Sequence, residues 1–176
     1  IMIGGDESFG AGGYLGTPIE KALPVEMDIT QRKITPNGAL AIVLHSCELR
    51  EGNQMGKDIC KRALEPLTQE DFFGIIEYGP MGPHWGVPLQ KAQDKVGIRN
   101  RIQAMQPGDT PDFVSQLTLA LNGLLKAKAG TKHVIMLSDW DPQPPSDALL
   151  QQFVDQKITI STVSIGEHAP ASQGEA

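Results

Sequence analysis

Cysteine is scarce in this 176-residue chain: only Cys47 and Cys60 are present, too few for a disulfide framework. Both read as free thiols, Cys47 just past a strand and Cys60 on a helix as a small core residue. Basic charge is also short. The 15 Lys+Arg against 21 Asp+Glu leave a net charge of −6 and a pI near 5.1. Such a surface does not attract nucleic acid or an anionic membrane. No apolar run approaches the roughly 20 residues of a membrane-spanning helix. The opening Ile1-Met2-Ile3-Gly4 lacks the basic region and long apolar stretch of a signal peptide. It reads as the end of a strand, so the sequence is expected to be a piece of a longer protein. What is present is enough for one core: 40% hydrophobic and 20% charged residues over a length that suits a single domain.

Glycine (19) and proline (13) are plentiful, and six of the glycines fall within the first 17 residues. From Gly38 onward strand and helix patterns alternate. Ala39 to Leu44 is a continuous apolar run of strand length, as expected of a strand buried on both faces. Asn53 to Leu67 reads as a helix with Met55, Ile59, Ala63 and Leu67 near helical spacing. Phe72 to Tyr78 is a second strand. Gly79 to Pro83 breaks it, and Trp85 to Leu89 reads as a short edge strand, where proline is tolerated. Asp94 to Met105 forms a helix carrying Val96, Ile98, Ile102 and Met105. A longer helix follows with Phe113, Leu117, Leu121, Leu124 and Leu125 on one face and Gly130 as its stop. His133 to Ser138 is a strand, Asp147 to Gln156 a helix entered through Ser146 as N-cap, and Ile158 to Ile165 a last strand.

This alternation calls for an α/β, Rossmann-like doubly wound, mainly parallel sheet with helices on both faces. Function in such sheets sits beyond the carboxyl ends of the strands. Three loops qualify: His45 to Gly52, Gly108 to Asp112, and Asp139 to Pro145. Smaller features read blandly. His84-Trp85 is a packed lid between prolines, Lys126 and Lys128 suit a helix C-terminus, and Asp141 to Pro145 is a stiff connector. Gly10-x-Gly12-Gly13 lacks the following helix of a phosphate-binding loop, with Pro18 and Pro24 expected to keep the backbone extended.

The order of an apolar strand and polar loop, then Gly108-Asp109-Thr110 before a long helix, then Leu137-Ser138-Asp139 after a strand, resembles the von Willebrand factor type A domain over residues 38–166. That resemblance implies a metal-ion-dependent adhesion site. Its first loop reads Asp-x-Ser-x-Ser, its second supplies a Thr and its third an Asp, all hard oxygen donors for Mg²⁺. Thr110 and Asp139 match. The first loop does not: His45, Cys47 and Leu49 stand where the motif has Asp, Ser and Ser, and Trp140 stands where a glycine commonly follows the Asp. The resemblance therefore implies a degenerate site at His45, Cys47, Thr110 and Asp139, with little affinity for Mg²⁺ or another divalent cation. No cofactor is expected. Two other chemistries use the same residue types: a zinc site from His45, Cys47 and Asp139, and a Cys47 nucleophile with His45 as base.

The segment Gly4-Gly5-Asp6-Glu7-Ser8-Phe9-Gly10, with Thr17-Pro18-Ile19-Glu20 and Leu23-Pro24-Val25, resembles glutamine-amidotransferase-like domains of large bacterial membrane-associated proteins. No catalytic cysteine lies in it, so glutamine hydrolysis is not implied. The expected organisation is an extended arm over 1–37, a von Willebrand type A-like domain over 38–166 and a flexible tail over 167–176. The expected function is a non-catalytic protein-binding module, reading a protein partner with His45, Thr110, Asp139, Trp140 and Asp141. The alternatives are a brace for the neighbouring amidotransferase-like domain of the parent and, third, a zinc or cysteine-dependent enzyme.

Overall fold

A computed structural model describes residues 17–22, 36–45, 52–139 and 142–165. The chain divides into two units, Ile1–Thr35 and Pro36–Ala176. In the first, α1 (Pro18–Ala22) corrects the expectation of an extended backbone at Pro18. Proline is well suited to the first helical position, where its fixed φ helps and its missing N–H is not needed.

The second unit contains β1 (Gly38–Leu44), α2 (Gly52–Leu64), β2 (Phe72–Gly79), β3 (Gly82–Lys91), α3 (Lys95–Ala104), α4 (Val114–Lys126), β4 (Thr131–Ser138), α5 (Asp147–Asp155) and β5 (Ile158–Ser164). The five strands form one sheet in the order β3-β2-β1-β4-β5. All pairings are parallel except β2 with β3. Among the described residues no helix is long and apolar enough to cross a membrane.

The period-2 alternation of β1 explains the two-layer cover. Ala39, Ala41 and Val43 point to one face and join Phe113, Leu117, Leu121 and Leu124 with Leu149 and Phe153, the side of α4 and α5. Ile42 and Leu44 point to the other and join Cys60, Leu64, Ile98 and Ile102, the side of α2 and α3. A strand apolar at every position is thus buried on both faces, as its sequence requires. The expected helical faces need three corrections. Met55, Val96 and Leu125 are exposed rather than core, because each sits off the inward stripe of its helix.

Element boundaries differ from the expected ones where local chemistry acts. The return strand β3 is ten residues long, its pairing with β2 irregular around Phe73–Ile76. Helix α2 ends at Leu64, short of Pro66. Helix α4 ends at Lys126 rather than running to Gly130, because Ala127 already has extended dihedrals. Ser146 does cap α5, its Oγ accepting from Leu149 N at 3.4 Å. Asp94 does the same for α3, accepting from Gly97 N at 2.8 Å.

Candidate functional site

The sheet order reverses between β1 and β4, since β1 runs on to β2 on one side and β4 to β5 on the other. A crevice beyond the carboxyl ends of two such strands is where open α/β sheets carry their sites. His45 follows β1 directly, and Asp139 follows β4. The parallel β1–β4 register pairs Leu44 with Leu137, which brings both ends to the same level. His45 N then donates to Leu137 O at 3.0 Å, fixing the backbone where the strand ends.

The third contributor is the loop between α3 and α4. Gly108 N donates to Tyr78 O at 2.8 Å, and a Cβ on Gly108 would stand 2.7 Å from that oxygen, so only glycine allows this approach. At its other end Gln143 N donates to Pro111 O and Phe113 N to Gln143 O, each at 3.2 Å. The loop is therefore stitched both to β2 and to the connection after β4. Thr110 is buried and donates its hydroxyl to Asp112 O at 2.9 Å.

His45 lies at the centre with 1% exposure. Its Nε2 is 3.1 Å from Asp109 Oδ1, while its Nδ1 is 3.0 Å from Ser138 Oγ and 3.2 Å from Asp139 Oδ1. A carboxylate only accepts, so Nε2 carries a proton and donates to Asp109. At Nδ1 the serine hydroxyl holds the aligned position. Asp139 Oδ1 lies beside Nδ1 outside hydrogen-bond alignment, and among the described residues it is buried with no hydrogen-bond partner. The edge of Phe113 closes one side of the imidazole, with ring centroids 6.3 Å apart at 81°. Asp109 has a side chain 84% exposed and so faces solvent, while Asp139 is enclosed.

Of the residues expected from sequence, the structure brings His45, Thr110 and Asp139 to one end of the sheet. Cys47, Leu49, Trp140 and Asp141 lie outside the described residues, as do most of the arm and the tail. Asp109 and Ser138 join the site without being expected there. Their signal in the sequence is adjacency, one beside Thr110 and one beside Asp139, but neither belongs to the motif. Glu77 is likewise unexpected, since it reads as strand interior.

The resemblance implies a degenerate divalent-cation site at this end of the sheet. Among the described residues no three His, Cys, Asp or Glu side chains converge to hold a metal ion. The ring of His45 stands between the carboxylates of Asp109 and Asp139. Cys60 offers no alternative: it is fully buried, and burial pushes its thiol up to about 12. Burial thus disfavours the thiolate at that position.

No protein-family model matches the sequence. No curated protein matches it either. Solved structures do. Proximal thread matrix protein 1 from the mussel byssus superposes with a TM-score of 0.67 at 19% identity, covering 79% of this chain and 40% of that one. A further structure of that protein is described as having a zinc-occupied metal-ion-dependent adhesion site, with a TM-score of 0.66. A von Willebrand factor type A protein from Catenulispora acidiphila gives 0.67 at 21% identity, over 80% of this chain and 35% of that one. BatB from Bacteroides thetaiotaomicron gives 0.58 at 13% identity, over 74% of this chain and 66% of that one. The chain thus matches well under half the length of the first two proteins. At these identities the likeness concerns the backbone. The fold of this chain is the Rossmann-like fold of von Willebrand factor type A domains.

Proposed function

We propose that this domain is a non-catalytic protein-binding module that works without a metal ion, through the face formed by His45, Thr110, Asp139, Trp140 and Asp141. The observation that carries the reading is the imidazole of His45 standing between Asp109 and Asp139. The imidazole donates its N–H to Asp109 and fills the place between the two carboxylates. The site keeps the position used for recognition in this fold and loses the ion. With the resemblance of the arm to amidotransferase-like domains, the parent is proposed to be a bacterial membrane-associated protein. A neighbouring domain of that parent would flank this module.

Two measurements test this. Mg²⁺ and Zn²⁺ added at millimolar concentration are expected to leave the melting temperature unchanged, because only a bound ion stabilises the native state. A rise with either ion overturns the metal-free reading. In the full-length parent, Trp140→Ala, Asp141→Ala and Asp139→Asn together are expected to weaken its protein complexes by tenfold or more, about 1.4 kcal/mol. Complexes of unchanged affinity, with the variant folded, overturn the binding role of this face.

A further inference from the structure

Beside the site just described, and sharing Asp109 with it, lies an open pocket of about 710 Å³ between the ends of β2 and β3 and the loop after α3. Its inner wall holds Glu77, which is 6% exposed. Glu77 pairs across the ladder with His84, and its Oε1 is 3.3 Å from His84 Nε2. The carboxylate lies in space left open by Gly86, where a Cβ would come within 2.6 Å of Oε1. The other oxygen, Oε2, is buried with no hydrogen-bond partner among the described residues.

Enclosing a carboxylate is costly unless its oxygens are answered, and one histidine on the open side answers only half of it. Asp109 stands at the rim as a second carboxylate, and among the described residues no lysine or arginine lines the pocket. The remaining walls include Tyr78, Pro80, Met105 and the ring of His84, apolar or flat surfaces. Among the described residues this is not a metal cluster. The side chain of His84 is half exposed, and the ring packs over Gly79, so it can turn outward without disturbing the core.

From this geometry we infer that the pocket receives an arginine side chain of the protein partner. The guanidinium pairs with Glu77 at the inner end and Asp109 at the rim, and the stem lies along Met105 and Pro80. The planar, multiply donating guanidinium answers two carboxylates and stacks on flat rings, which a lysine ammonium does not do. The net charge of −6 favours the approach of such a partner. This rests on the protein-binding reading above and names the chemistry of its partner, opposite in sign to a carboxylate ligand delivered to a metal.

The test uses the isotope-labelled chain and short capped peptides centred on Arg, Lys or citrulline, with amide shifts of Gly79, Gly86 and Gly108 as the readout. The Arg peptide is expected to give saturable shifts with a Kd on the order of 1 mM, suitable for one side chain. The Lys peptide should bind several-fold more weakly, and citrulline, which has the shape without the charge, should leave the three amides in place. Glu77→Gln should raise the Kd about tenfold. Asp109→Asn, at an exposed position that does not threaten folding, should raise it about threefold. Equal response to citrulline, no response to Arg, or an Asp109→Asn variant that binds unchanged would each overturn the inference. Agmatine binding more tightly than the Arg peptide would overturn a partner's side chain as the occupant. The face substitutions in the parent report separately on the module's binding role, so failure of the arginine pocket is distinguishable from failure of that role.

Discussion

At Cys60 the thiol is enclosed between α2 and the sheet, packed in the same cluster as Leu44, Leu64 and Ile98. Burial disfavours the charged form, which is why the thiol is pushed up to about 12. Cys60 is therefore expected to resist maleimide and disulfide reagents in the native protein and to react at once in denaturant. Labelling the Cys47→Ser variant, followed by mass spectrometry, checks this; stoichiometric native labelling at Cys60 would show the α2 layer opening locally. The helical pattern in the sequence is enough to put Cys60 in the core. His45 is the contrasting case. Its residue type suggests metal or base chemistry, but its surroundings make it a hydrogen-bonding link between Asp109 and Ser138, with Asp139 beside it.

Elements in this domain are held at set distances by glycines that face one side chain. Trp85 on β3 lies between β2 and α4: a Cβ at Gly74 would approach its Cζ3 to 2.6 Å, and one at Gly123 its Cζ2 to 2.5 Å. Both approaches are to the six-membered ring of the indole, so the two glycines leave room for the same ring. Gly123→Ala sets two effects against each other. Alanine favours the helix by about 1 kcal/mol, whereas overpacking costs typically about 1–3 kcal/mol. With the ring only 2.5 Å away the second effect wins, so net destabilisation by about 1 kcal/mol is expected in urea unfolding. Adding Trp85→Leu should relieve most of it, and a Gly123→Ala variant more stable than the parent sequence would contradict this packing. In sequence Trp85 reads both as a packed lid between prolines and as the start of a short edge strand; it packs on the core from within a ten-residue edge strand. The apolar faces of α3 and α4 are legible, apart from Val96 and Leu125, because helical period alone does not say how wide the buried stripe is.

Across the whole molecule, two groups tie strand ends together and make stability depend on pH. On β4, burial lowers the pKa of His133 from its ordinary 6.5, against the opposing contact with Thr159 on β5. The unfolded chain then takes up the proton more readily. Stability is therefore full above pH 6.5 and declines as pH falls below it. Asp71 acts lower on the scale. Burial pushes its carboxyl up, but hydrogen bonds from Gly38 N, Thr68 N and the Thr68 hydroxyl outweigh this and hold it below 3.8. Its contribution is present above 3.8 and is lost as pH drops through the lowered value. Chemical denaturation across this range should show loss in two stages, and His133→Gln should flatten the first stage only. An unchanged profile in that variant would place the upper titration elsewhere.

The sequence by itself determined the elements and their class. Uninterrupted apolar runs make strands buried on both faces, helical stripes lie between them, and their alternation yields the mainly parallel sheet. It also located Thr110 in the loop before the long helix and Asp139 in a strand-end loop, and exposed the mismatch at His45. Only the tertiary structure decided what those residues do together. His45 and Asp109 are 64 positions apart, and their contact depends on sheet order, on the β1–β4 register and on Gly108 docking against Tyr78. Glu77 is an ordinary strand residue in the sequence, and only its cross-strand neighbours, His84 and Gly86, enclose it. Local pattern records period and hydrophobicity, which a chain carries along its length. Convergence of polar groups is set by packing between distant segments, and no single segment encodes it.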